Sequence, residues 1–161
     1  MKVIVQRSKY SKVTIDGKIN GEIDYGYVLL SSFTNGDNEK IVDKVIDKII
    51  NLRIFTDNDD KMNLSLLDVK GSILNISQFT LYADITKGRR PSFVNALNPT
   101  EASKLYDYMN DKLRSIGIHT ETGIFGADMK VEIYNDGPVT IIVDSNEILL
   151  KNALDKIKYK W

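Results

Sequence analysis

Two short segments carry the residues best suited to chemistry, Ser77-Gln78-Phe79-Thr80-Leu81 and Asn135-Asp136-Gly137-Pro138-Val139-Thr140. Both interrupt apolar, β-branched runs. A Gly-Pro step beside a strand is unusual, because proline has no N–H for a sheet ladder and is confined to strand starts, edges or bulges. It fixes φ and can sustain a cis peptide bond that holds two carbonyls in a set direction. With no side chain on the glycine, the step presents bare, rigid backbone able to test another molecule's shape. Ser77–Thr80 offers hydroxyl and amide groups; on a strand, Ser77, Phe79 and Leu81 face one way and Gln78, Thr80 and Tyr82 the other. The same segment also reads as an ordinary strand with tolerated polar residues. Lys87-Gly88-Arg89-Arg90-Pro91-Ser92-Phe93 sets three cations around a glycine. Such a loop is either merely solvated or a local grip for phosphate.

Other chemistries lack their residues. The chain has no cysteine, which excludes disulfides and thiolate metal sites. No HExxH, GxxxxGK[ST] or GxSxG pattern occurs. The single histidine, His119, heads a strand with no acidic partner expected nearby, and reads as a surface or packing residue. Asp57-Asn58-Asp59-Asp60 clusters carboxylates but lacks the glycine and distal glutamate of a calcium loop. Neither a metal, nor another cofactor, nor a Ser-His-Asp triad is expected.

The frame is that of one globular domain. The 161 residues are 42% hydrophobic and 27% charged, and 22 basic residues balance 22 acidic ones. A chain of this length buries roughly 70% of its unfolded surface. A net charge of zero and a pI near 6.6 argue against coating of nucleic acid through many phosphates, so any such contact should be local. No apolar run reaches the roughly 18 residues of a membrane span, and the first residues read as a strand, not a signal peptide. A cytoplasmic address, with no membrane partner, follows as the expectation.

The elements that must position these segments can be read from periodicity. Residues 2–7, 11–16, 19–23 and 25–33 read as strands, with Asp16-Gly17 as a turn. Ile41, Val42, Val45, Ile46, Ile49 and Ile50 form the apolar stripe of a helix that opens at Glu39 after a polar cap. Ile73–Leu81 reads as a buried strand. A second helix opens at Asn98-Pro99, buries Ala102, Leu105, Tyr106, Met109 and Leu113, and stops at Gly117. Residues 118–122, 129–134 and 139–144 alternate as strands. Residues 145–161 read as a helical extension, with Leu150, Leu154, Ile157 and Trp161 on one face. The expected class is α+β, largely antiparallel sheets with two main helices packed on them.

The ordered set of segments resembles the D-aminoacyl-tRNA deacylases. The matching stretches are Val5-Gln6-Arg7, Val13-Thr14-Ile15-Asp16-Gly17, Asn51-Leu52-Arg53-Ile54-Phe55, Lys61-Met62-Asn63-Leu64-Ser65-Leu66 and Ser77–Asp84. They continue with Lys87–Phe93, Glu121-Thr122-Gly123, Phe125-Gly126-Ala127-Asp128-Met129 and Asn135–Thr140, so that the resemblance covers residues 1–144. One departure is Leu30-Ser31-Ser32-Phe33-Thr34, where the family usually carries a glycine at the strand end.

The resemblance implies a barrel-like core, a homodimer with cross-subunit active sites, and hydrolysis of the D-aminoacyl-tRNA ester. It implies that Gly137 and Pro138 form a Gly-cis-Pro motif, steadied by Arg7, which enters the partner's active site and leaves no room for an L side chain. Ser77, Gln78, Phe79 and Thr80 would line the pocket for the scissile ester, and Phe125 and Met129 would surround the 3′-terminal adenosine. Lys87, Arg89 and Arg90 would grip the tRNA; DNA is not an expected partner. Glycine has no Cβ to exclude, so glycine mischarged on tRNA(Ala) is an expected side substrate. A threonine nucleophile needs an activating base, and none is evident; water assisted by the tRNA 2′-hydroxyl is favoured, with backbone N–H groups near Gln78 and Phe79 on the oxyanion. Two other classes fit the same residues: a non-catalytic module that binds the tRNA end, and a conventional esterase of small esters.

Overall fold

The computed structural model describes residues 1–150. Its spine is β1, Lys2–Ile15, one long strand where the sequence suggests two. It bends where Ser8 and Ser11 are buried with their hydroxyls 2.6 Å apart. Lys9 bulges out of register there, and Ser11 Oγ accepts the Tyr134 N–H at 3.3 Å. Small hydroxyl side chains thus satisfy backbone that a bulge would leave unpaired. On one side β1 pairs first with β3, Gly26–Ser32, and then with β2, Lys18–Ile23. Along its other side runs β8, Lys130–Asp144, again one strand where two are expected.

The sheet is largely antiparallel, as expected, but includes a parallel part that periodicity does not signal. β1 is antiparallel to β2, β3 and β8, but β3 runs parallel to β6, Ser72–Ser77, and β6 parallel to β7, Thr120–Thr122. Parallel neighbours need a crossover, and the helices supply it. Helix α1, Glu39–Ile50, and a small hairpin of β4, Phe55–Thr56, with β5, Met62–Leu64, lie between β3 and β6; helix α2, Pro99–Ser115, lies between β6 and β7. Asn20 Nδ2 of β2 donates to the Thr122 carbonyl of β7 at 2.7 Å, which brings the two ends of the sheet together into a nearly closed barrel.

Two apolar clusters hold this arrangement. Val3, Val5, Tyr27 and Leu29 meet α1 through Val42, Val45, Ile46 and Ile49, and α2 through Tyr106, Met109 and Leu113. Val13, Ile23, Val28, Leu74 and Ile76 fill the barrel interior. Each fully buried aliphatic side chain contributes roughly 2 kcal/mol gross. Both helices start as the sequence suggests: the side chains of Asn38 and Asn98 accept from the N–H groups of Ile41 and Glu101.

Two further expectations change. The strand that was to run from Ile73 to Leu81 ends at Ser77, and Phe79–Tyr82 forms a 3₁₀ turn. The expected two-faced alternation of Ser77–Tyr82 is therefore absent. Residues 145–150 are helical, while Leu154, Ile157 and Trp161 lie outside the described residues. No helix among the described residues is long and apolar enough to cross a membrane.

Candidate active site

A cavity of about 570 Å³ opens at the C-terminal ends of the parallel strands β3 and β6. Ligand sites favour this end of parallel strands, where neighbouring chain segments diverge. Ser31 and Ser32 close β3 against it, Ile76 and Ser77 close β6, and Asn98, Pro99 and Ala102 bring in the start of α2. That helix aims its positive N-terminal end at the space. Gln78, Phe79, Phe125 and Met129 complete the part expected from sequence. No Asp, Glu, His, Lys, Arg, Tyr or Cys side chain lines the cavity among the described residues.

A buried polar chain holds the floor. Tyr106 of α2 donates to the Asn75 carbonyl at 2.6 Å, and burial pushes its phenol up to about 12, so it remains a donor. Asn75 Nδ2 donates to Asn110 Oδ1 at 2.7 Å, and Ser31 Oγ donates to Asn75 Oδ1 at 2.7 Å. The Ser31 carbonyl then accepts the Gln78 N–H at 2.8 Å. The Leu30–Thr34 segment therefore anchors the very residue at which β6 turns into the 3₁₀ turn. Nothing in the apolar periodicity marks Ser31 or Asn75 as part of a site; the only signal was a polar residue inside an otherwise aliphatic strand.

That anchor decides which amides are free. The Gln78 N–H is engaged, which removes it from the donors expected for an oxyanion. As the first residues of the 3₁₀ turn, Phe79 and Thr80 have N–H groups with no intrahelical partner. Neither finds another acceptor among the described residues. Thr80, expected in the lining, is exposed and is not among the residues that line the cavity; its Oγ1 accepts from Gln78 Nε2. The Phe79 ring stands edge-on to Phe93 at 4.9 Å. Through that contact the turn meets the loop of Lys87, Arg89 and Arg90, which is closed at its base by reciprocal Asp84–Ser92 backbone bonds of 2.7 and 2.9 Å. All three cations are exposed.

Gly137, Pro138 and Arg7 sit elsewhere. The Gly137-Pro138 peptide is cis and both residues are exposed on β8. Arg7 is buried beneath them; it donates from Nε to the Asp136 carbonyl at 3.2 Å and from Nη1 to the Ile54 carbonyl at 2.7 Å. Its Nε also pairs with Asp136 Oδ2 at 3.3 Å. Arg7 is opposite Tyr27 at the start of β3, whereas Lys2 is opposite Ser32 at the cavity end. Five strand steps separate these positions, about 17 Å. The Gly-Pro step therefore does not reach the cavity of its own chain.

His119 departs from expectation: it has an acidic neighbour after all, pairing with Glu121 at 3.2 Å on the surface, away from the cavity lining. The Asp57 carboxylate accepts the N–H groups of Asp59 and Lys61 and so staples its own turn.

Comparison with known proteins points in one direction. The family model described as D-Tyr-tRNA(Tyr) deacylase matches residues 4–144. A D-aminoacyl-tRNA deacylase of Bacillus cytotoxicus is 54% identical over 145 residues, 90% of this chain and 99% of that protein. A namesake from Geobacillus sp. is 54% identical over 147 residues, 91% of this chain and 97% of the other. Among solved structures, the c-Myc DNA Unwinding Element Binding Protein superposes with a TM-score of 0.85 at 36% identity, over 89% of this chain and 98% of that one. A probable eukaryotic D-amino acid tRNA deacylase superposes with a TM-score of 0.77 over the same shares; at 17% identity the likeness concerns the fold alone.

Proposed function

The chain belongs to the D-Tyr-tRNA(Tyr) deacylase family, and from that premise we propose how its cavity hydrolyses D-aminoacyl-tRNA and spares the L form. The observation that carries the mechanism is the lining without an ionisable group. Among the described residues of one chain, no side chain of that lining can take a proton from water or from Thr80 at neutral pH, so the lining itself supplies no general base. The aminoacyl ester brings its own: the ribose hydroxyl next to the scissile bond. The protein's part is to position that ester and to stabilise the oxyanion with the unengaged N–H groups of Phe79 and Thr80. Ser77 and Gln78 shape the wall beside the ester. Phe125 and Met129 receive the terminal adenosine, an aromatic ring and a polarizable thioether suiting a base's π face.

Selection between enantiomers falls to Gly137 and Pro138, which sit too far from the cavity of their own chain. They act in a second copy, in a homodimer with two equivalent cross-subunit sites. The long strand β8 supports this: it pairs only with β1 among the described residues, and it exposes Tyr134 and Ile142. An uncovered edge of that length invites a partner. Backbone that excludes a Cβ of the wrong hand rejects L residues by clash. It leaves glycine acceptable, so glycine mischarged on tRNA(Ala) is a side substrate. Such an enzyme works in the cytoplasm, where aminoacyl-tRNA is made and used.

The deciding experiment is deacylation of matched D- and L-tyrosyl-tRNA by the purified protein with a chelator present. Hydrolysis of the D ester alone is the expected result; equal rates, or loss of activity on chelation, would sink the reading. Activity on small esters with indifference to tRNA would move the protein to the esterases.

Lys87, Arg89 and Arg90 hold the tRNA near its 3′ end. Changing Arg89 and Arg90 together to alanine is expected to weaken tRNA binding and to lower the slope of log affinity against log salt by about 0.7 to 0.9 for each phosphate no longer neutralised. Because both side chains are exposed, the melting temperature should hold. Unchanged affinity in the folded variant would remove the pair from the interface.

A further inference from the structure

Asn135 stands where β1 and β8 lose register. Gln6 is opposite Thr140 and Ser8 is opposite Asn135, so Arg7 alone faces the run from Asp136 to Val139. This run, which carries Gly137 and Pro138, has no register partner on β1. Arg7 holds one side of it through the Asp136 carbonyl.

The Asn135 amide spans the other side. Oriented so that each of its atoms meets a complementary group, its nitrogen donates to the Arg7 and Val139 carbonyls, both at 3.1 Å. Its oxygen accepts from Gln6 Nε2 at 3.0 Å and from Thr140 Oγ1 at 2.8 Å. Two donors and two acceptors are the full capacity of a primary amide. Its nitrogen ties the β1 backbone at Arg7 to the far end of the bulge at Val139.

From this geometry we infer that Asn135 is a positioning residue for chiral selection: its amide closes the base of the bulge and fixes the direction in which Gly137 and Pro138 project. The inference rests on the reading that this step separates D from L substrates. Exclusion by shape depends on a wall that does not yield, and a displacement of about 1 Å near a reacting group can change rates a hundredfold. The chemistry asks for an amide in particular. An aspartate fills the same volume and still accepts from Gln6 and Thr140, but it would set a carboxylate against two carbonyl oxygens.

The test compares the wild type with Asn135→Asp, Asn135→Ala and Gln6→Ala on matched D- and L-tyrosyl-tRNA, with a melting curve for each. A wild type without D preference would overturn the functional reading itself. With a discriminating wild type, Asn135→Asp is expected to fold and to lose about tenfold or more of its D-over-L preference, chiefly through a faster L reaction, because both carbonyls it leaves behind go without their donor. Asn135→Ala should behave alike, while Gln6→Ala, which removes a single donor to the amide oxygen, should keep the preference. An aspartate variant with wild-type preference overturns the inference. So does one whose D and L rates fall equally, or one that does not fold, because the amide would then hold the sheet and not the motif.

Discussion

D-tyrosyl-tRNA that ends in 2′-deoxyadenosine, with the amino acid on the 3′ oxygen, is expected to be hydrolysed at least about a hundredfold more slowly than the ribose form, the lower end of what a positioned acid–base group contributes. In the same assay Thr80→Ala should retain activity within about tenfold. The reason lies in the cavity wall, where the described residues offer no ionisable group, and in the Thr80 hydroxyl, whose nearest polar partner is the Gln78 amide. An amide cannot accept a proton at neutral pH, so it cannot turn threonine into a nucleophile. The Thr80 N–H, by contrast, survives the substitution. Trapping an acyl group on Thr80, or full activity on the deoxy substrate, would restore covalent catalysis or water activation by the protein.

Gly137→Ala should lower kcat/KM for D-tyrosyl-tRNA about a hundredfold while the protein stays folded. Gly137 has φ +122°, a conformation that L side chains rarely adopt, and a Cβ there would lie 2.9 Å from both Arg7 Nη2 and Val139 Cγ2. The Val139 N–H is close behind at 3.1 Å. Arg7 cannot simply swing aside, because its Nη1 and Nε are tied to the carbonyls of Ile54 and Asp136. The step itself must move, at a cost of about 1–3 kcal/mol that leaves the core untouched. A displacement of about 1 Å suffices for a rate loss of that size. Sedimentation should show the same oligomeric state for the variant as for the wild type. Unchanged rate and selectivity in the variant would mean that the Gly137-Pro138 backbone does not meet the substrate.

Much of the architecture was legible in the residues because it depends on local chemistry. The α1 stripe of Val42, Val45, Ile46 and Ile49, the caps at Asn38 and Asn98, and Pro99 in the first turn of α2 follow from period, capping and the missing N–H of proline. The bareness of Gly137-Pro138 was visible for the same reason, whereas the exposure of Arg89 and Arg90 was not, because the residues alone equally allowed Arg89 to pair with a carboxylate inside the fold. What the sequence could not determine depends on which strand lies beside which. Periodicity reports which residues face inward but not whether a neighbour runs parallel, so the β3–β6–β7 pairing and the cavity at its end required the fold. Strand alternation carried the reading of Ser77–Leu81 past Ser77, because no local signal shows that the Ser31 carbonyl captures the Gln78 N–H and that the chain then turns. That one tertiary hydrogen bond leaves Phe79 and Thr80 as the free donors. The separation of Gly137 from its own cavity is likewise a matter of register: alternation is unchanged along a strand, and only the pairing of Arg7 with Tyr27 and of Lys2 with Ser32 sets the two at opposite ends of the sheet.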